Sequence, residues 1–319
     1  MEPGVDLNES GEFDFAVAFD WEYDQDFVER LADLAGQEGL SVFVVHSGNL
    51  RQTLIGLEEK QLAFRCLLDR ASDTHPAFQP LQKICASSGT EIIEPVSRLA
   101  WASDKATMHL EFIAQGLLTP YTIILPPFQS AQEIQLSLAD LALLGRPFMI
   151  KPANTTGGGI GVVDGAETLQ DVLQARQEFR SDKYLLQEKV MPMERDGRRF
   201  WFRGFYAFGL IRCAWCDDRT HRYRIVESHE MTRYRLDSLE PVIRKIASIC
   251  RLRFFSTEIA RMPDERDIVI DYVNESCDMR LESRHPDGVP DRLVEDLSRQ
   301  IIRSIRELPA VKRVQEGPA

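Results

Sequence analysis

Three groups of residues in this chain have types and spacings suited to chemistry. The first is Thr155-Thr156-Gly157-Gly158-Gly159-Ile160-Gly161, where four glycines fall within five positions between apolar, strand-like segments. Glycine fills no core and weakens a strand. Its value here is close backbone approach and amide donors for an anion such as phosphate; the alternative is a flexible hairpin turn with no ligand. No Gly-Lys-Ser/Thr follows, and no register of Gly157 to Gly161 fits GxGxxG, so neither common glycine-rich cradle applies. The second group is Lys151, which ends the apolar run Phe148-Met149-Ile150 six residues before the first of these glycines. A strand-borne lysine beside a glycine flap can clamp phosphate charge, or it can snorkel from a strand end with no ligand.

The third group is Glu258 with Asp271. Residues 255–260 and 268–272 read as strands joined by the polar turn 262–267. A turn centred between Asp264 and Glu265 places Glu258 directly opposite Asp271. Two carboxylates facing across a strand pair, with Cβ atoms about 5 Å apart, repel each other. Either a hard divalent cation removes that penalty, or one acid has a raised pKa; the metal is the preferred reading. Asn274 is the natural third oxygen ligand, but strict alternation puts it on the other face from Asp271, so it needs a bulge or the strand end.

These groups require a scaffold. Residues 15–20, 41–46, 64–69 and 91–94 read as strands, with helices over 24–34 and 78–86 between them, and this alternation predicts an α/β fold that begins with a parallel sheet. Ligands lie beyond the carboxyl ends of such strands, here Asp20-Trp21-Glu22, His46-Ser47-Gly48-Asn49 and Asp69-Arg70; loop capping is the alternative for each. A helix is expected over 105–115, capped by Ser103 or Asp104, and another around 131–144. Strands follow at 148–151 and 184–187 with a helix at 169–179, then a hairpin over 200–217, a strand at 222–226, and helices at 239–250 and 290–308.

Composition narrows the classes. A net charge of -12 argues against nucleic acid, whose phosphates reward clustered Lys and Arg. No basic start followed by an apolar run marks a secretory signal, and no stretch approaches the roughly 18 apolar residues of a membrane span. A cytoplasmic, membrane-free protein is expected. The six cysteines are scattered. Cys213 and Cys216 have the spacing of a metal or redox pair, but they fall in a strand and no second pair completes a zinc site; buried thiols are expected.

In order and spacing these features resemble the ATP-grasp superfamily across most of the chain. Ser103-Asp104-Lys105, then Gly116 and Thr119-Pro120-Tyr121-Thr122, look like the segment that opens the grasp. Phe148-Met149-Ile150-Lys151-Pro152 and the glycines look like its phosphate lysine and flexible loop, and Leu185-Leu186-Gln187-Glu188-Lys189-Val190 is similar to its hinge strand. The resemblance implies a pre-ATP-grasp, Rossmann-like domain over 1–102 and a two-lobed ATP-grasp domain over 103–319, with a lid lobe about 120–188 and a C-terminal lobe about 189–309. It implies nucleotide binding by Lys105, Lys151, Gly157, Gly158, Gly159, Gly161, Gln187, Glu188, Lys189, Val190 and Glu194, with backbone near Lys189 and Val190 reading adenine and Glu194 the ribose. Arg203 matches the arginine that faces the transferred phosphoryl group, and Glu258, Asp271 and Asn274 fill the metal slots. The pattern departs at Asp271-Tyr272-Val273-Asn274, where acid and amide are three apart instead of two, and at Glu275 to Arg280, where a small-residue loop is usual.

The function implied is an ATP- and Mg2+-dependent ligase (with Mn2+ as a substitute) that joins a small carboxylate to an amine or thiol through an acyl phosphate. Lys151, Arg203 and Arg280 are its expected catalytic residues. Arg280, Arg212 and Arg70 are candidates to hold the acid, because guanidinium grips carboxylate through two parallel hydrogen bonds. The alternatives are a kinase of an alcohol that uses Arg219, Arg222, Arg224 and Arg233, or a non-catalytic nucleotide-binding protein. A homodimer is compatible with either.

Overall fold

The computed structural model describes residues 11–309, except 74, 131, 133, 135 and 155–158. The chain falls into two compact units. One comprises the residues up to Arg98, the short segment Tyr206–Leu210 and everything from Ser276 on; the other is Leu99–Phe205 with Ile211–Glu275.

In the first unit β1 (Gly11–Ala18), α1 (Gln25–Gln37), β2 (Val42–Val45), α2 (Leu50–Glu58), β3 (Leu62–Asp69), α3 (Gln79–Ser87) and β4 (Glu91–Ile92) alternate along the chain. Their strands form a parallel sheet in the order β2-β1-β3-β4. Phe15, Ala16, Val17 and Ala18 are all fully buried, as expected of a central strand covered on both faces. Helix α2 has no counterpart in the sequence reading, because Thr53 and Gly56 dilute its apolar face. α4 (Val96–Ser103) runs across the boundary into the second unit. The last helix, α10 (Asp291–Arg306 in chain order), packs on α1. It buries Leu293, Leu297, Ile301 and Ile305, and Arg65 Nη1 donates to the carbonyls of Ile305 and Leu308 at 3.0 and 2.9 Å. This apolar face accounts for the grouping of the described residues from Ser276 on with the first unit.

The second unit holds α5 (Lys105–Ala114), β5 (Thr122–Leu125), α6 (Leu138–Leu144), β6 (Phe148–Pro152), β7 (Val163–Ala166), α7 (Leu169–Ala175) and β8 (Tyr184–Glu188). Their strands make an antiparallel sheet in the order β5-β8-β6-β7. A small hairpin of β9 (Glu194–Arg195) and β10 (Arg198–Arg199) follows. Then come β11 (Trp201–Ala207), β12 (Leu210–Cys216), β13 (Tyr223–Ile225), α8 (Ser228–Arg233), α9 (Leu239–Cys250), β14 (Phe254–Arg261) and β15 (Asp267–Asn274), whose strands are ordered β13-β12-β11-β14-β15. Helix α6 starts only at Leu138, where Ser137 and Asp140 form a capping box. Among the described residues no disulfide joins the cysteines, burial pushes the Cys213 thiol up to about 12, and no helix is long and apolar enough to cross a membrane.

Candidate functional site

The site grows from the register of β14 on β15. Glu258 stands opposite Asp271; the pairs nearest the turn, Arg261 with Asp267 to Ile259 with Val269, would by themselves set it opposite Ile270, and a one-residue shift between Ile259 and Glu258 brings it to Asp271. The ladder is irregular on both sides of Glu258, and Ser256 pairs with Asn274. Two residues of β14 thus span three of β15, a bulge that re-aims the strand end. Because Ser256 and Glu258 are two apart and share a face, the bulge carries Asn274 to the face of Asp271. The odd spacing of acid and amide is absorbed there.

The neighbouring strand β11 supplies two donors on that face. Arg203 Nη1 donates to Glu258 Oε1 at 2.6 Å, and its Nε donates to Ser256 Oγ at 3.1 Å. Trp201 Nε1 donates to Glu258 Oε2 at 3.1 Å. Neither Trp201 nor Ser256 was singled out from sequence, although their i±2 spacing from Arg203 and Glu258 was a signal.

Lys105 opens helix α5, and its Nζ is 3.2 Å from Asp271 Oδ1. Asp104 caps the helix by accepting from the Ala106 amide at 3.1 Å, and the Lys105 amide donates to the Ala153 carbonyl at 3.1 Å. A cation in the first turn opposes the helix dipole, so Lys105 is there for an anion rather than for the helix. Lys151, on β6, completes the group. Burial is the main influence lowering its ammonium pKa; Asp271 and Glu258 oppose that shift and Lys105 adds to it. Burial disfavours the ionised form of Asp271, but Lys105, Lys151 and Arg203 outweigh it and hold the carboxyl below the usual range.

The facing carboxylates do not need a metal for neutrality, because Lys105, Lys151 and Arg203 surround them. Three cations face two carboxylates, and the surplus positive charge suits a polyanion. Among the described residues no group of three or more His, Cys, Asp or Glu gathers into a metal cage. The donor set is two carboxylates and the Asn274 amide, which fits a cation that takes one or two carboxylates and completes its shell with phosphates and water, as Mg2+ does.

The other expected residues are more dispersed. Gly157 and Gly158 lie outside the described residues. Gly159 and Gly161 both have positive φ, +78° and +73°, which glycine alone adopts freely. A Cβ on Gly161 would also meet the Phe179 ring at 2.4 Å, so this glycine serves packing as well. Gln187 is turned into the core, 2% exposed, donating to Tyr272 Oη at 2.8 Å. Glu188 Oε1 accepts from the Tyr121 amide at 2.9 Å. Lys189 pairs with Asp164 at 2.6 Å and Glu194 with Arg199 at 2.6 Å. Val190, Trp201 and Met262, each part-buried, pack against the buried Ala260, Ile268 and Ile270 and leave a partly exposed apolar surface just after β8.

Arg280 belongs to the first unit, where Asp278 and Asp287 hold its guanidinium at 2.7 and 2.9 Å. Arg70 is buried against Asp24, Nη2 to Oδ1 at 2.7 Å, and also donates to the Cys277 carbonyl at 3.1 Å. Its Nε and Nη2 donors are engaged in these bonds.

No family model matches the sequence, and no curated protein does. Solved structures do match over nearly the whole chain. A RimK domain ATP-grasp protein from Sphaerobacter thermophilus is 17% identical, with 91% of this chain and 98% of that one covered and a TM-score of 0.61. A D-alanine–D-alanine ligase from Bacillus anthracis complexed with ATP is 12% identical, with 92% and 98% covered and a TM-score of 0.62. The ATP-grasp ligase PsnB complexed with a minimal precursor, Mg and ADP is 14% identical, with 90% and 98% covered and a TM-score of 0.59.

Proposed function

We propose, from the premise that this chain has the ATP-grasp fold, that it is an ATP- and Mg2+-dependent ligase activating a carboxylate as its acyl phosphate for attack by an amine. The observation that carries this reading is the convergence of Lys105, Lys151 and Arg203 on Glu258 and Asp271. ATP brings about four negative charges, and preorganised cations lower the barrier most when aimed at charge that develops in transfer. Lys105 and Lys151 would hold the phosphate chain. Arg203 would move part of its charge from Glu258 to the transferred phosphoryl oxygens. Glu258, Asp271 and Asn274 would hold Mg2+, which would supply charge neutralisation for the phosphates. The apolar surface at Val190 would take the purine, with the backbone at Lys189 and Val190 reading its edge.

An alcohol kinase needs a free basic pocket. Two of the four arginines considered for it are already paired: Arg224 with Glu230 at 2.7 Å and Arg233 with Asp196 at 2.9 Å. The ligase reading is tested by phosphate release from MgATP against pools of amino acids, dipeptides and small carboxylates, with hydroxylamine added. A hydroxamate of the active acid is the expected product. A stable phosphorylated alcohol would replace the ligase with the kinase.

A further inference from the structure

Behind the charged face of β15 lies a buried polar chain. Tyr272, next to Asp271 and pointing the other way as alternation requires, is 1% exposed. Its hydroxyl is 2.6 Å from His109 Nδ1 and accepts from Gln187 Nε2 at 2.8 Å; Gln187 Nε2 also donates to Thr122 Oγ1 at 3.2 Å. His109 and Gln187 are 4% and 2% exposed. Burial pushes the imidazole pKa down to about 4, so the ring is neutral near pH 7. In the tautomer protonated at Nε2, Nδ1 accepts from the tyrosine, and the chain runs from Gln187 N–H through Tyr272 O–H to His109. Phe112 packs edge-on to the Tyr272 ring at 5.3 Å.

Each member belongs to an element that carries part of the proposed site. His109 lies one helical turn after Lys105 on α5. Tyr272 follows Asp271 on β15, and Gln187 stands on β8 just before Glu188, Lys189 and Val190. Three polar side chains linked through Tyr272 in an apolar interior are costly unless all are satisfied, and apolar residues of the same size would fill the space. We propose that His109, Tyr272 and Gln187 are positioning residues that lock the Lys105 helix, the Asp271 strand and the hinge strand into one geometry for MgATP. This inference rests on the nucleotide reading above.

The test uses the full chain, with ATP and Mg2+ as the probe, and reads the Kd for ATP, the Mg2+ concentration at half-maximal binding, and Tm. Tyr272→Phe keeps the ring and removes the hydroxyl. It should raise the Kd or the Mg2+ requirement about tenfold or more, the size seen when groups that orient ligand-bearing residues are removed. It also strands two buried polar partners and should lower Tm. The triple variant His109→Leu/Tyr272→Phe/Gln187→Met removes every stranded group, so Tm should recover while the binding defect persists. Recovery of both Tm and binding in the triple variant would overturn the proposal and leave the chain a core filler. Unchanged binding in Tyr272→Phe would overturn it too. Absence of ATP binding in the unmodified protein would instead remove the nucleotide reading, and this inference with it.

Discussion

Two arginine–carboxylate groups touch strand β14, and they are built differently. Arg261 bonds both oxygens of Asp267 at 2.8 and 2.9 Å, Ser238 Oγ at 2.6 Å, and the carbonyls of Tyr234 and Arg235 at 3.1 and 2.8 Å. Its donors are spent, and both side chains of the pair are 3–4% exposed. Three residues earlier, Glu258 and the facing Asp271 keep 20% and 26% exposure and are outnumbered by Lys105, Lys151 and Arg203. A charge pair whose partners are saturated and neutral fixes a fold. One that is part-exposed and unbalanced has capacity left for a ligand. The positive surplus, more than the presence of charge, distinguishes the candidate site.

The comparison predicts opposite outcomes for two acids four residues apart. Asp267→Ala strands a buried guanidinium and should cost about 3–5 kcal/mol of stability, read as a fall in the denaturation midpoint. Any MgATP binding by the protein that stays folded should remain near normal. Asp271→Ala should retain the fold by circular dichroism and lose about 10²–10³-fold in ATP turnover, the scale of removing one preorganised electrostatic group. Near wild-type, Mg2+-dependent turnover in Asp271→Ala would break the contrast.

A third acid sharpens it. Glu230 is buried and, against the cost of burial, bonds to Arg224, the Glu227 amide, Arg198 and Trp215 hold its carboxyl well below its ordinary 4.5. A depressed carboxylate contributes stability that is present above the unfolded value and is lost as pH falls toward the folded one. Glu230→Gln should therefore cost about 1.5–3 kcal/mol near pH 7, and the gap from wild type should shrink on acidification below pH 4.5. A gap independent of pH would mean that shape, not charge, matters there. The smallest effect is expected at Arg280. Arg280→Lys keeps the charge but loses the two-pronged grip on Asp278 and Asp287, so the denaturation midpoint should fall only slightly, by the equivalent of about 1 kcal/mol or less. A fall of several kcal/mol would mean that this pair, like Arg261 with Asp267, fixes the fold.

What the sequence determined was local. That Glu258 and Asp271 lie on adjoining strands follows from a short turn between two β-rich runs, because turn length sets hairpin register; the last residue of the register is supplied by a bulge beside Glu258. The lysine at the end of a strand, the Asp104 cap and the parallel alternation at the start are likewise written in neighbouring residues. Tertiary structure decided the rest. Lys105 meets Asp271 across 166 positions of sequence, a contact that no periodicity encodes. The bulge that rescues Asn274 depends on what β14 pairs with at Ser256. Gln187 looks like any hinge-strand polar residue until Tyr272 captures its amide in the core. Arg70 and Arg280 look like free guanidinium groups until their acids are found beside them. The physical reason is the same in each case: side-chain type and spacing set what a residue can bond, while its use depends on which partners packing brings within about 3 Å.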